Sequence, residues 1–109
     1  MKKRVPKFQE GMRLMRHSDP QLQEDGFHLL LPYAHEYTQQ LIDSFRQEAD
    51  SGLRHWLLEL LSAAKDPEAL PIFLEYLHSD ESGLKSEAIR GLKILNTKEA
   101  RRALWEAEA

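Results

Sequence analysis

The sequence contains no cysteine, which excludes disulfides and thiolate metal sites and fits a reducing compartment. Its apolar runs are short, as at Leu29-Leu30-Leu31, whereas a membrane-spanning helix needs about 20 consecutive apolar residues. Valine occurs once, and no segment alternates polar and apolar residues with the period of two that is typical of a strand. We therefore predict an all-α, cytoplasmic protein without a membrane partner.

Sequence motifs for catalysis and for metal or cofactor binding are also missing. The glycines are scattered and form no phosphate-binding loop, and no serine lies in a G-x-S-x-G sequence. His55 and Glu59 are four residues apart, which places them on one face of a helix. One histidine and one carboxylate do not make a metal site without a third ligand nearby, so we interpret them as a surface pair. We predict no catalytic residue, no cofactor and no metal site.

Charge is present in quantity and is unevenly distributed. Residues 1–17 carry six Lys/Arg and one Glu, giving +5. Residues 18–81 carry three Lys/Arg and thirteen Asp/Glu, giving −10, and residues 82–109 carry six Lys/Arg and four Glu, giving +2. An acidic middle segment attracts a basic partner and repels phosphate backbones. A solvated face that maintains solubility explains the same charge count.

The sequence repeats with an offset of 31 residues. Residues 51–54 read Ser-Gly-Leu-Arg and residues 82–85 read Ser-Gly-Leu-Lys, and a weaker third copy precedes them. We predict one domain over residues 1–109, with an N-terminal helix in residues 1–18 and helix-pair repeats at 19–50, 51–81 and 82–109.

Each repeat contains signals for two helices. Leucines at positions 53, 57, 60 and 61 have helical spacing, and Asp66-Pro67 then predicts the start of a second helix. Asp19-Pro20 predicts another helix start, and Pro32 predicts that this helix ends or bends near Leu31. Pro71 predicts that the helix after Asp66-Pro67 starts later than that cap indicates, or bends. In the last repeat, Asn96 with Glu99 three residues later indicates a capping box.

A two-helix unit cannot bury its own apolar face, so successive pairs must stack on one another. We expect a short α-solenoid of about three stacked helix pairs plus the N-terminal helix. The paired helices of such a solenoid offer an extended surface, whose usual use is to bind another macromolecule.

The sequence of the second repeat supports a family resemblance. Gly52-Leu53-Arg54, the leucines that follow, and residues 66–71 (Asp-Pro-Glu-Ala-Leu-Pro) resemble a bacterial HEAT-like repeat of the type found in phycobilin lyases. Residues 83–104 show the pattern less cleanly. The resemblance implies an α-solenoid in which Arg54 and Lys85 occupy equivalent positions. Proteins with similar repeats include scaffolds, lyase subunits, DNA-alkylation repair enzymes and small immunity proteins.

We interpret the chain as a non-enzymatic protein-interaction module whose acidic face binds a basic protein. Aromatic residues exposed on such a face would act as interface anchors, although we favour packing at the flank of the core as the role of Trp56 and Tyr76. The candidate contact residues are Glu36, Asp43, Trp56, Glu68, Glu75, Tyr76, Asp80 and Glu81.

Three alternatives stay open. In the first, the chain would be an immunity protein that neutralises a bacterial toxin. In the second, it would be a scaffold that self-associates as a homo-oligomer. In the third, it would be a HEAT-like enzyme or a nucleic-acid-binding protein. Arg101-Arg102 near Trp105 forms the best basic patch for nucleic acid, but the acidic repeat beside it opposes that function. The sequence does not identify the partner, the oligomeric state or the face that binds.

Overall fold

The computed structural model describes residues 7–108, and these residues form helices joined by short connections, with no strand among them. The basic segment Met1-Lys2-Lys3-Arg4, with the start of the predicted N-terminal helix, lies outside the described residues. The α-helices are α1 (Lys7–Met15), α2 (Pro20–Leu30), α3 (Thr38–Gln47), α4 (Ser51–Ala64), α5 (Leu70–Tyr76), α6 (Ser82–Leu95) and α7 (Lys98–Glu108).

Aspartates begin three of the helical segments, and two of these are the predicted starts at Asp19 and Asp66. The Oδ1 atom of Asp19 accepts a hydrogen bond from the backbone N–H of Gln21 at 2.9 Å, before α2. The Oδ2 atom of Asp50 accepts one from the N–H of Leu53 at 2.8 Å, before α4. The Oδ1 atom of Asp66 accepts one from the N–H of Glu68 at 3.0 Å, before the short helix over Pro67–Ala69. Each carboxylate satisfies an N–H that has no partner in the first turn of its helix.

Prolines interrupt two of the helices, where the sequence predicts a break or a late start. A 3-10 helix over Leu31–Tyr37 follows α2 and contains Pro32, which cannot donate a hydrogen bond within a regular α-helix. Another over Pro67–Ala69 precedes α5, so Pro71 lies in the first turn of that helix, where its missing N–H costs little. Both expectations are confirmed.

The predicted capping box at Asn96 is wrong. Asn96 ends α6 in the left-handed conformation, with φ 50°, and its N–H donates to the carbonyl of Leu92. Thr97 is the residue that caps α7, because its hydroxyl accepts a hydrogen bond from the N–H of Ala100 at 3.1 Å. Asparagine tolerates the left-handed conformation, so the same residue type serves at either end of a helix.

The stacked helices share one apolar core. α4 is central, since it packs against α3 and the Leu31–Tyr37 helix on one side and α6 on the other. Leucines 57, 58, 60 and 61 of α4 are fully buried, as are Phe45 of α3 and Phe73 of α5. The described residues form an elongated body of 56 × 26 × 21 Å. The predicted all-α solenoid is confirmed.

Glycines permit two close approaches between helices. A Cβ on Gly26 of α2 would lie 2.5 Å from the carbonyl oxygen of Gly11 on α1, and a Cβ on Gly91 of α6 would enter the ring of Phe73. Gly52 and Gly83 differ, because neither has a positive φ and a Cβ on either would make only moderate contacts. Neither a positive φ nor close packing therefore requires glycine at position 52 or 83.

Candidate interaction surface

The six candidate acidic residues are all exposed, but they belong to different segments. Glu36, Asp43, Glu68 and Glu75 lie on the second segments of the first two repeats, which are the Leu31–Tyr37 helix, α3, the Pro67–Ala69 helix and α5. Asp80 and Glu81 lie in the connection between α5 and α6. α3 packs against the Pro67–Ala69 helix, so the second segments of adjacent repeats adjoin one another.

Three of these carboxylates have partners within the described chain. Glu75 forms an ion pair with Arg46 of the preceding repeat at 2.5 Å. Glu81 lies 3.7 Å from the guanidinium of Arg54. Asp43 accepts a hydrogen bond from the side chain of Gln39 at 3.1 Å.

The carboxylates of Glu36, Glu68 and Asp80 form no ion pair with any residue of the range 7–108. An exposed carboxylate without a basic neighbour retains its full charge for an external cation. We name these three residues the open acidic set.

Tyr76 lies at the edge of the core. Its ring is half-buried and packs edge-to-face on Phe45, with the centroids 5.2 Å apart. Its hydroxyl accepts a hydrogen bond from the guanidinium of Arg54. Both the ring and the hydroxyl of this candidate anchor therefore already have partners inside the chain.

Trp56 lies in another part of the fold. Its half-buried indole packs edge-to-face on Phe27 of α2, with the centroids 4.7 Å apart. α2 and α4 are the first helices of their repeats, whereas the carboxylates of Glu68 and Glu75 are carried by second segments. The structure thus places Trp56 against the first helices and does not group it with the acidic second segments.

A cluster that the sequence does not predict lies between α4 and α6. His55 and Glu59 are half-buried on α4, and Glu87 joins them from α6. One potential ligand atom from each residue lies within 4.8 Å of the others. The 31-residue repeat aligns Glu87 with Trp56, so neither the periodicity nor a motif indicates this contact. Glu87 thus adds a second carboxylate to the pair formed by His55 and Glu59.

The basic residues near the C-terminus are largely engaged within the chain. Arg101 donates to the backbone carbonyl of Asn96 at 2.6 Å, and Arg102 forms an ion pair with Glu106 at 3.0 Å. Trp105 is 72% exposed on the same helix. The carboxylate of Glu106 offsets the charge of Arg102, whereas the neutral carbonyl of Asn96 does not offset the charge of Arg101, so the patch offers only slightly less free positive charge to nucleic acid than its sequence indicates.

Among residues 7–108, no helix has both the length and the apolar character required to cross a membrane.

Comparison with known proteins identifies one family. The family model for HEAT repeats matches residues 38–108, from the start of α3 to the end of α7. No match was found among curated proteins or among solved structures. The family match covers more than half of the chain and coincides with the stacked helix pairs. The protein belongs to the HEAT repeat family.

Proposed function

We propose that this HEAT repeat protein is a non-enzymatic binding module for a basic protein, which contacts the acidic second segments of the first two repeats. HEAT repeats generally mediate protein–protein interaction, and the family is typically a non-enzymatic scaffold. The proposal extends this general property to a particular surface and a particular charge.

The observation that carries the proposal is the exposure of the open acidic set. Glu36, Glu68 and Asp80 belong to the segment of net charge −10, and their charge is not neutralised by ion pairs within the described chain. A surface of this kind accelerates the encounter with a basic protein and makes the binding sensitive to salt. Glu75 and Glu81 contribute less, because each already has an arginine partner.

The aromatic residues take different parts in this proposal. Tyr76 follows Glu75 on α5 and packs on Phe45 of α3, so it would border an interface on these second segments, whereas Trp56 packs against the first helix of the preceding repeat. We therefore expect Tyr76, and not Trp56, to be protected when the partner binds.

Toxin neutralisation is a narrower form of the same proposal. In that case the basic partner is a toxin domain, and co-expression with this chain would restore growth to cells that carry the toxin. The expectation that the protein acts in the bacterial cytoplasm stays a prediction.

The test compares two charge-reversed variants with the same net charge. Glu36→Lys with Glu68→Lys changes the proposed surface. Glu24→Lys with Glu108→Lys changes exposed residues on α2 and α7 and serves as the control. Each protein is immobilised, exposed to native lysate and eluted with increasing salt, and the retained proteins are identified by mass spectrometry.

We expect the wild type and the control to retain the same basic protein in a defined ratio, and the surface variant to lose it. Equal retention by both variants, or elution that does not depend on salt, would overturn the proposed surface. Recovery of the chain itself would instead identify a homo-oligomer.

A further inference from the structure

The seam between α4 and α6 carries a row of polar side chains within an otherwise apolar contact. His55, Glu59 and Ser62 have i, i+4, i+7 spacing and so share one face of α4. On α6, Gly83, Glu87 and Arg90 share a face in the same way, and Gly83 lies beside the imidazole of His55. These two helix faces therefore pack against each other where α4 contacts α6.

Glu87 is a buried acid, and its burial is costly. Only 6% of its surface is exposed, and the partner it has in the described chain is Arg90, at 3.1 Å. That arginine side chain is 60% exposed, so it is not confined to this contact. A buried carboxylate is stable only when it is well paired or coordinates a metal.

Ser62 provides a second, independent observation. Its hydroxyl is buried, with the residue 1% exposed, and it has no hydrogen-bond partner within the described part of the chain. The residue lies one turn beyond Glu59 on the face of α4 that His55 shares. Ser62 thus adds a second buried polar group to the face of α4 that carries His55 and Glu59, and a bound water would satisfy such a hydroxyl.

We propose that His55, Glu59 and Glu87 form a binding site for a divalent transition-metal ion, with Zn²⁺ as the best-suited ion. One imidazole nitrogen and two carboxylate oxygens are ligands that Zn²⁺ accepts at about 2.0–2.2 Å. In a tetrahedral site such ligand atoms lie roughly 3.4 Å apart. The ligand atoms now lie within 4.8 Å of one another, so ion binding would require the side chains to rotate toward one another.

The surroundings determine how the ion would be held. Three protein ligands leave a fourth position for water. Glu59 and Glu87 also border a groove that spans the first helices of all three repeats, so the ion would be accessible from the surface. The groove is lined by Phe27, Leu31, Glu59, Ala63, Glu87 and Arg90.

Arg90 allows this site to be distinguished from an ordinary ion-pair network. Its guanidinium competes with a cation for the carboxylate of Glu87, and its positive charge repels the ion. Replacing Arg90 should therefore strengthen metal binding. If Glu87 and Arg90 formed only a structural ion pair, the same replacement would leave Glu87 without its partner and would not increase metal affinity.

The experiment uses the full chain without an affinity tag, treated with a chelator and titrated with Zn²⁺ by calorimetry. We expect one equivalent to bind, with affinity reduced at least about tenfold in His55→Gln, Glu59→Gln and Glu87→Gln. Arg90→Gln should bind Zn²⁺ several-fold more tightly. With Co²⁺, the wild type should show the visible absorption of a low-symmetry site, and His55→Gln should not.

Controls remove the same chemical groups elsewhere. His78→Gln and Glu99→Gln lose an exposed imidazole and an exposed carboxylate outside the cluster and should bind Zn²⁺ as the wild type does. Circular dichroism without metal establishes that each variant folds. If Glu87→Gln does not fold, His55→Gln and Glu59→Gln alone test the proposal. The proposal is wrong if the wild type binds no Zn²⁺, if the controls lose as much affinity as the cluster variants, or if Arg90→Gln weakens binding.

Discussion

The guanidinium of Arg54 donates a hydrogen bond to the hydroxyl of Tyr76 and lies 5.2 Å from the centre of that ring. It also lies 4.9 Å from the ring centre of Phe45, on the preceding repeat, and 3.7 Å from the carboxylate of Glu81, which precedes α6. Arg54 thus links the first and second repeats to the connection before α6, and its side chain is only 17% exposed. Planar stacking combined with directed N–H donors is a property of arginine and not of lysine.

We predict that Arg54→Ala lowers the free energy of unfolding by about 2 kcal/mol, because a charge-assisted hydrogen bond and two ring contacts are lost. Arg54→Lys should retain only part of this stabilisation, and Tyr76→Phe should lower the free energy of unfolding by about 1 kcal/mol. Urea denaturation measures each value. Arg46→Ala, which removes the exposed pair with Glu75, is the control and should cost less than about 1 kcal/mol. Equal losses at Arg46 and Arg54 would contradict this role.

Gly91 and Gly83 on α6 should respond in opposite ways to the same substitution. Gly91→Ala places a methyl group in the ring of Phe73, and overpacking of this kind costs about 1–3 kcal/mol. Gly83→Ala meets only the side of His55 at ordinary contact distance, 3.8 Å, and should be neutral or stabilising by up to about 1 kcal/mol. Thermal unfolding of the two variants compares them, and an unchanged melting temperature for Gly91→Ala would refute the packing argument.

Lys65 and Asn96 end α4 and α6 in the same left-handed conformation, each with φ 50°. This conformation is unfavourable for lysine but is tolerated by asparagine and glycine. We expect Lys65→Gly to stabilise the protein by about 0.5–1 kcal/mol and Asn96→Gly to change stability little. Chemical denaturation of both variants tests this, and a larger gain at position 96 than at 65 would contradict it.

Glu10 and Arg13 form a pair on α1 whose titration can be followed directly. The hydrogen bond from the Arg13 side chain, 3.1 Å from Nε to Oε2, lowers the pKa of Glu10 below its ordinary value. Because the folded-state pKa is depressed, the contribution of this pair is present above the ordinary pKa of glutamate. It is lost as the pH falls through the lower, folded-state value. An NMR titration of the Glu10 carboxyl carbon should show the lowered pKa, and Arg13→Gln should return it toward the ordinary range.

Local signals in the sequence predict the helices well. Aspartate before proline marks two helical starts, and the leucine spacing of α4 identifies the buried face, because caps and periodicity depend on residues within one or two turns. The same locality explains the error at Asn96. Its side chain suits both a helix start and a left-handed helix end, and the end of α6 is decided by where Leu92 and Leu95 are buried.

The sequence alone thus determined the repeat, the helix pairs and the acidic charge of the middle segment, because each depends on residues that are near one another in the chain. The tertiary structure decided which carboxylates are paired, placed Trp56 and Tyr76 in different parts of the fold, and brought Glu87 to His55 and Glu59. These contacts depend on how helices that are distant along the chain pack on one another, as α4 does on α2, α3 and α6, and as Phe73 of α5 does on Gly91 of α6. No spacing along the chain encodes it.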